Sequence, residues 1–365
     1  MHHVQPQQDV PPKAARNRAP AHRTGWWASA ARFIRLWVGS AVGRGGVRVH
    51  RVWSGPRPEA LHRELIAFER SIPIALLDGR TMTYEHPRDY IAFFRSIETS
   101  RTFAARDKVG RVIGTITGVA LRLRMPDGAE RRAVFVAHLR VATDARIGPT
   151  LASLAVRIMP ATFRYGRASV AIVQTGRDLE LARISRTIGV PAARPHGAVR
   201  VVTWSCEAPA ASAAPVRDAT ETEVRSRFAE CTRGCIVSVG GNPALRSAIP
   251  PRWVMAADGS ACGCIEDNNA VLTWRLESGE RFEQSHISFF GWRDAAAGGA
   301  FVRSCIDLAR EMGIGRLRVL VDEGSADAVI GAVGLVPVAE VRWTVWAGAV
   351  RPFPKAPWVL HPSEI

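Results

Sequence analysis

Apolar positions recur along this chain in two rhythms, one of two residues and one of 3.6, and their succession divides it into strands and helices. After Pro58 the stretch EALHRELIAFERSI carries helical periodicity, and HPRDYIAFFRSIE predicts a second helix. TFAARDK and RVIGTITGVALRLR predict two strands joined by a polar turn at Lys108 to Gly110. Val134 to Val141 is a nearly unbroken apolar run whose length and β-branched content suit a buried strand. A polar turn, Thr143 to Arg146, leads into Leu151, Leu154, Ala155, Ile158 and Met159 at helical spacing. Pro149 falls in the first turn of that helix, where proline is tolerated. A strand over Ala168 to Thr175, a helix LELARISRTIG ending at Gly189 and a strand over Ala198 to Trp204 follow.

The order then returns. Glu207 to Val216, small and proline-rich, reads as a linker. ATETEVRSRFAECTRG predicts a helix, RWVMAADGSACGCIEDN two strands around Asp258-Gly259, HISFFGW a core strand, and RDAAAGGAFVRSCIDLAREMGIG a loop and helix. RLRVLVDE, SADAVIGAVGL and VAEVRWTVW complete the series. The pair LELARISRTIGVP…VRVVTW and SADAVIGAVGLVP…VRWTVW suggests internal duplication.

With 365 residues, 47% of them hydrophobic and 22% charged, the chain has room for two ordinary globular domains. The net charge is +16 and unevenly spread: Lys+Arg against Asp+Glu is 10 to 1 over residues 1–58, 23 to 13 over 59–205, and 16 to 19 over 206–365. A basic middle suits an anionic ligand, and the alternative is a solvated face rich in arginine. Residues 1–24 have no apolar period and are expected to be disordered. In Trp26 to Val38, Trp26, Ala30, Phe33 and Trp37 share one helical face; Arg32 and Arg35 interrupt the apolar run and argue against a spanning helix. Packing on the body, contact with a partner, or peripheral contact with a membrane are the readings of that helix. The six cysteines form no disulfide framework and suit a cytoplasmic chain with reduced thiols. Cys231-x3-Cys235 and Cys262-x-Cys264 do not have zinc-knuckle spacing, so no metal is expected.

Strand, tight turn and helix around Gly148 make a phosphate site on physical grounds, because the first helical N–H groups point outward at the positive end of the dipole. In this unit, and in the order α-α-β-β-β-α-β-α-β over Arg57 to Trp204, the chain resembles the GNAT superfamily of acyl-CoA-dependent N-acyltransferases. The resemblance implies an α/β (α+β) fold of two tandem GNAT-like domains, each a mixed, mostly antiparallel sheet flanked by helices. Its boundaries would be a tail and amphipathic helix over 1–57, a first domain over 58–205 that binds acyl-CoA, a linker over 206–217, a second domain over 218–348, and a C-terminal tail over 349–365. In that family a bulge parts the fourth strand from the fifth and pantetheine enters the gap. Mapped here, the backbone of Leu139, Arg140 and Val141 would hold pantetheine, and Arg146, Ile147, Gly148, Pro149 and Thr150 would line the phosphates. Pro149 brings no N–H. In the second half Gly298 and Gly299 permit close backbone approach, with no arginine directly beside them.

His138, just before the expected bulge, is the candidate general base; its other reading is a core histidine satisfied by hydrogen bonds. In the repeat alignment His286 falls at the same place. The family's acid tyrosine has no counterpart in register: counting back from Gly189 gives Ser185, the candidate acid, and none of Tyr84, Tyr90 and Tyr165 fits. Asp178 reads as a helix N-cap. These readings imply a transferase that moves an acyl group, an acetyl group first, from acetyl-CoA or another acyl-CoA to a primary amine of a small molecule or amino acid. The alternatives are a Fem-type transferase using aminoacyl-tRNA, an N-myristoyltransferase-like or N-acyl amino acid synthase-like enzyme with a long-chain donor, and a non-catalytic binding protein of the same fold. A nucleic-acid partner is expected only under the first of these alternatives.

Overall fold

The computed structural model describes residues 47–52, 59–75, 81–86, 90, 92–145, 147–164, 168–175, 193–210, 215–282, 285–349 and 351–361. The expected helices over Trp26 to Val38 and LELARISRTIG, with Arg146, Asp178 and Ser185, lie outside these residues. The N-terminal part holds β1 (Arg48–Val52), α1 (Glu59–Arg70), β2 (Ile74–Ala75), β3 (Thr81–Glu85), α2 (Ala92–Ile97), β4 (Ser100–Arg106), β5 (Val112–Arg124), β6 (Glu130–Val141), α3 (Ile147–Arg164), β7 (Ala168–Gln174) and β8 (Arg194–Ser205). The C-terminal part holds β9 (Val216–Asp218), α4 (Glu221–Cys231), β10 (Ile236–Ser238), β11 (Arg252–Ala256), β12 (Ala261–Asp267), β13 (Thr273–Leu276), β14 (Arg281–Phe282), β15 (Ser285–Trp292), α5 (Ala295–Glu311), β16 (Arg316–Asp322), α6 (Glu323–Val333), β17 (Ala339–Ala349) and β18 (Trp358–Val359).

One mixed, mostly antiparallel sheet runs through the whole molecule in the order β1-β4-β5-β6-β7-β17-β8-β16-β15-β12-β11-β9, with β10 and β18 at its side. Parallel pairs occur at β6/β7, β15/β16 and β10/β18. The order departs from chain order at its centre. β7 pairs with β17, from Trp343↔Gln174 to Ala349↔Ala168, while β8 pairs with β16, from Arg316↔Ser205 to Asp322↔Val199. Each part of the chain therefore lends its last long strand to the other. A second sheet, β14-β13-β3-β2, also joins the two parts through Trp274↔Tyr84.

The alternation along β8 shows why it is held there. Val199 and Val201 face one apolar cluster with Phe93, Phe94, Phe135 and Trp358, while Val202 and Trp204 face another with Phe301, Ile306 and Val329. A strand apolar on both faces needs cover on both, and here α5 and α6 cover one side and α2 with the C-terminal segment the other. Gly299 allows α5 to meet α6: a Cβ there would stand 2.5 Å from the backbone carbon of Ala332. The C-terminal segment is part of the core. Trp358 is fully buried, packs against Gly197 and donates from Nε1 to His196 Nδ1 at 3.2 Å.

Three residues later His361 is buried beside Phe228 and Phe289, and burial, reinforced by the nearby Arg246, pushes its pKa down to about 3. An unfolded histidine titrates near 6.5. Between these values the unfolded chain binds the additional proton, so stability falls as pH drops below 6.5. From pH 7 to pH 5 His361 alone is expected to cost about 2 kcal/mol. Denaturant titrations at the two pH values should show the loss, and His361→Phe should remove about that share of it. Strand exchange carries its own expectation. Residues 1–210 and 211–365, expressed separately, should show no cooperative melting as monomers, and co-expression should restore it; a cooperative monomeric melt of either piece would contradict the exchange.

Candidate active site

The local sequence of β6 makes a break in the sheet. Thr117 pairs with Ala137 and Thr115 with Arg140, so His138 and Leu139 together oppose Ile116. This is a β-bulge, and His138 takes φ 51, a conformation costing a non-glycine residue about 1–3 kcal/mol. The Thr115 hydroxyl donates to the His138 carbonyl at 3.2 Å and helps hold the bend. Pairing of β6 with β7 is confined to Val134↔Ser169 and Phe135↔Val170, while β7 continues along β17 as far as Gln174. The two strands thus part after Phe135, three residues before the bulge at His138. Leu139, Arg140 and Val141 follow on the part of β6 that has left β7.

The His138 ring enters a buried polar cluster built from α1, the end of β3 and the approach to α2. Its Nδ1 lies 3.5 Å from the Tyr90 hydroxyl and 3.6 Å from Glu69 Oε1. Glu69 also holds His86, whose Nδ1 is 3.0 and 3.1 Å from the two carboxylate oxygens and whose backbone N–H donates to Oε2 at 3.3 Å. Phe94 closes over His138 edge-on, with centroids 4.6 Å apart. Burial first, and then the neighbouring His86, hold the His138 pKa well below the usual histidine range, so the ring is neutral at pH 7. Burial likewise lowers Arg140 to about 10, although Glu69 opposes that shift. One ligand atom each from Glu69, His86 and His138 lies within 4.8 Å of the others, a donor set that could also accept a divalent cation. The cysteine spacings gave no hint of it.

After the polar turn, α3 starts at Ile147 with Ile147, Gly148 and Pro149 exposed and no acidic residue in its first turn. Its first amides have no intrahelical acceptor. Thr150 departs from the expected arrangement, because its side chain is buried and turns inward to where a Gly114 Cβ would sit 3.0 Å from its methyl. Only its backbone remains available to a phosphate.

The second parting of strands is chemically different. Cys264 pairs with Ser288 and Cys262 with Gly291, so Phe289 and Phe290 form the bulge, and Phe289 has φ 51. Phe289 is therefore the counterpart of His138. His286 lies three residues earlier, opposite Arg318 on β16, where β6 has Phe135. The expected equivalence of His286 and His138 is corrected accordingly. His286 Nε2 is 3.2 Å from Glu266 Oε1, and Glu266 is gripped by Arg246 through Nε at 2.6 Å and Nη2 at 2.7 Å. At the start of α5, Asp294 accepts from the Ala297 amide at 2.9 Å, and its carboxyl is held below its usual range mainly by that bond. An anion thus already occupies the helix start. Gly298 and Gly299 make room for Trp292 and for α6, not for a ligand.

No family model matches the sequence, and no curated protein matches it. Solved structures do. Saccharomyces cerevisiae N-myristoyltransferase with bound myristoyl-CoA and inhibitors matches at 9% identity and a TM-score of 0.57, covering 85% of this chain and 82% of that one. A second structure of that enzyme with myristoyl-CoA matches at 8% identity and a TM-score of 0.55, covering 85% and 84%. A GCN5-related N-acetyltransferase from Sphaerobacter thermophilus matches at 12% identity and a TM-score of 0.43, over 70% and 82%. The chain thus shares its fold, over most of its length, with N-myristoyltransferase.

Proposed function

We propose that the protein is an acyl-CoA-dependent N-acyltransferase that carries an acyl group, acetyl in the first reading, to a primary amine of a small molecule or amino acid. The observation that carries this reading is the parting of β6 from β7 three residues before a left-handed His138 whose ring meets a buried carboxylate and a buried phenol. A pantetheine arm fits such a gap because it can pair with the exposed strand backbone of Leu139 to Val141. The open start of α3 suits the diphosphate, with Ile147 and Gly148 as donors.

In the proposed step the amine nitrogen attacks the thioester carbonyl carbon, the C–N bond forms and the C–S bond breaks. His138 takes the amine proton at Nε2, and the Glu69 carboxylate stabilises the imidazolium. The Tyr90 hydroxyl gives its proton to the departing thiolate and regains one from His138 Nδ1, 3.5 Å away. Tyr90 thus takes the acid role for which Ser185 was the sequence candidate. A longer acyl chain is the second reading, favoured by Ala137 and Ile172. Both are partly buried, and each stands two residues beyond the last β6/β7 pair, packed against the apolar cluster that holds Phe135 and Val170.

Calorimetry with acetyl-CoA and with a long-chain acyl-CoA is the first test; binding of either supports the reading, and heat from neither leaves a non-catalytic binding role. His138→Ala is expected to lower kcat about 10²- to 10⁴-fold with acyl-CoA binding retained. Turnover should survive dialysis against a chelator. Activity lost on dialysis and restored by zinc would instead make the Glu69, His86 and His138 cluster a metal site.

A further inference from the structure

Two thiols meet where α4 ends on the sheet. Cys231 is the last residue of α4 and is half-buried, and Cys262 is buried on β12. Cys262 stands directly opposite Gly291 on β15, and the glycine lets the helix close on that pair: a Cβ at Gly291 would lie 3.1 Å from Cys231 Cβ and 3.3 Å from Phe228 Cα. Register partners present their side chains on one face of a sheet, so Cys262 points to the face that α4 covers. Its Sγ is 3.7 Å from the Val224 carbonyl oxygen of that helix and in hydrogen-bonding contact with the Cys231 thiol.

The two sulfurs are unequal. The hydrogen bond from Cys262, aided by the Arg227 guanidinium one turn earlier, outweighs burial and Glu230 and brings the Cys231 thiol down to about 7. The same contact, with burial, pushes Cys262 upward, so that it keeps its proton. Arg227 is fixed on the helix by donation from Nη1 to Glu230 Oε2 at 2.7 Å. The other thiols differ. Burial raises Cys264, Cys305 and Cys235, and Cys206 is buried in the apolar cluster under α5 and α6. A partly exposed thiolate with a second thiol touching it is open to reversible oxidation.

We propose that Cys231 and Cys262 are a redox pair that a peroxide converts to a disulfide, with Cys231 oxidised first and Cys262 resolving it. The inference is independent of the acyl-transfer reading. The Cys231 thiolate attacks one oxygen of hydrogen peroxide, the O–O bond breaks, and the departing hydroxide leaves as water with the proton the thiol gave up. Cys231 is then a sulfenic acid. The Cys262 sulfur attacks Cys231 Sγ, the S–S bond forms and the S–O bond breaks, and this hydroxide leaves as water with the Cys262 proton. Two thiols and one peroxide become one disulfide and two waters, the sulfurs losing the two electrons that the peroxide gains. The cross-link ties the end of α4 to β12 beside the Phe289 bulge.

The test uses the full chain and its Cys262→Ala and Cys231→Ser variants. Each is treated with hydrogen peroxide at pH 7, alkylated in denaturant and mapped by mass spectrometry before and after dithiothreitol. In the unmodified protein free thiols should fall from six to four, a Cys231–Cys262 cross-link should be recovered, and dithiothreitol should restore all six. In C262A the sulfenic acid has no partner, and dimedone should label Cys231 about 10-fold more strongly than in the unmodified protein. In C231S the remaining thiols should be lost about 10-fold more slowly than the first two of the unmodified protein. The unmodified protein decides the matter even if a variant does not fold. A cross-link between any other pair, Cys231 carried to the sulfinic acid while Cys262 stays free, or six thiols surviving a treatment that oxidises free cysteine would overturn the proposal.

Discussion

The two antiparallel pairings at the centre of the sheet, β7 with β17 and β8 with β16, are the constraint on which the rest depends. A strand that parts from its neighbour exposes backbone groups that must find water, ligand or another strand. Here β7 and β16 are each secured on the far side by a strand from the other part of the chain. Both can therefore hold their course while β6 and β15 bend away at residues with φ 51. The cost of two left-handed non-glycine residues is met by the long ladders around them, since strain of this kind persists only where the surroundings over-determine it.

A bulge at φ 51 followed by a helix occurs in both β6 and β15, and the chemistry around the two differs. At the first gap a neutral imidazole, a phenol and a carboxylate converge, and the following helix starts without an anion of its own. At the second, the bulge carries Phe289, an Arg246–Glu266 ion pair fills the space nearby, and Asp294 caps the helix. A second phosphate site there would set one anion against another. That asymmetry is why the proposed acyl-CoA site is placed at the first gap and not at the second.

Much of this was legible in the pattern of apolar residues. The periods of two and 3.6 located the main strands and helices, because each buries one face or both. The exchange of β8 and β17 was not legible, since both strands carry the same alternation and either could sit beside β7. His286 was matched to His138 by residue type, whereas the backbone sets the correspondence through the bulge, three residues further on. Tyr90 was set aside for not standing at a family position, and it reaches His138 from a different segment. Glu69 did leave a trace. It lies four residues after Leu65 and one after Phe68, so a carboxylate sits on the apolar side of α1, which calls for a partner inside the protein. The signal for His86 was absent, because only the fold brings it to Glu69.

The charges at the first gap fit an attack on a carbonyl better than they fit the resting protein. At rest, Glu69 lies close enough to the Arg140 guanidinium to oppose the effect of burial on it, and His138 is neutral. A positive imidazolium formed alone would be penalised by the burial that keeps His138 neutral. In the proposed reaction, however, the proton would reach His138 as the amine attacks, while negative charge builds on the carbonyl oxygen. The new pair of charges arises together, within a site from which water is largely excluded, where their mutual attraction is strong. Burial would therefore disfavour protonated His138 in the absence of the proposed substrate and tolerate it when an oxyanion is present, which is the difference in binding between ground and transition state that the proposed catalysis requires.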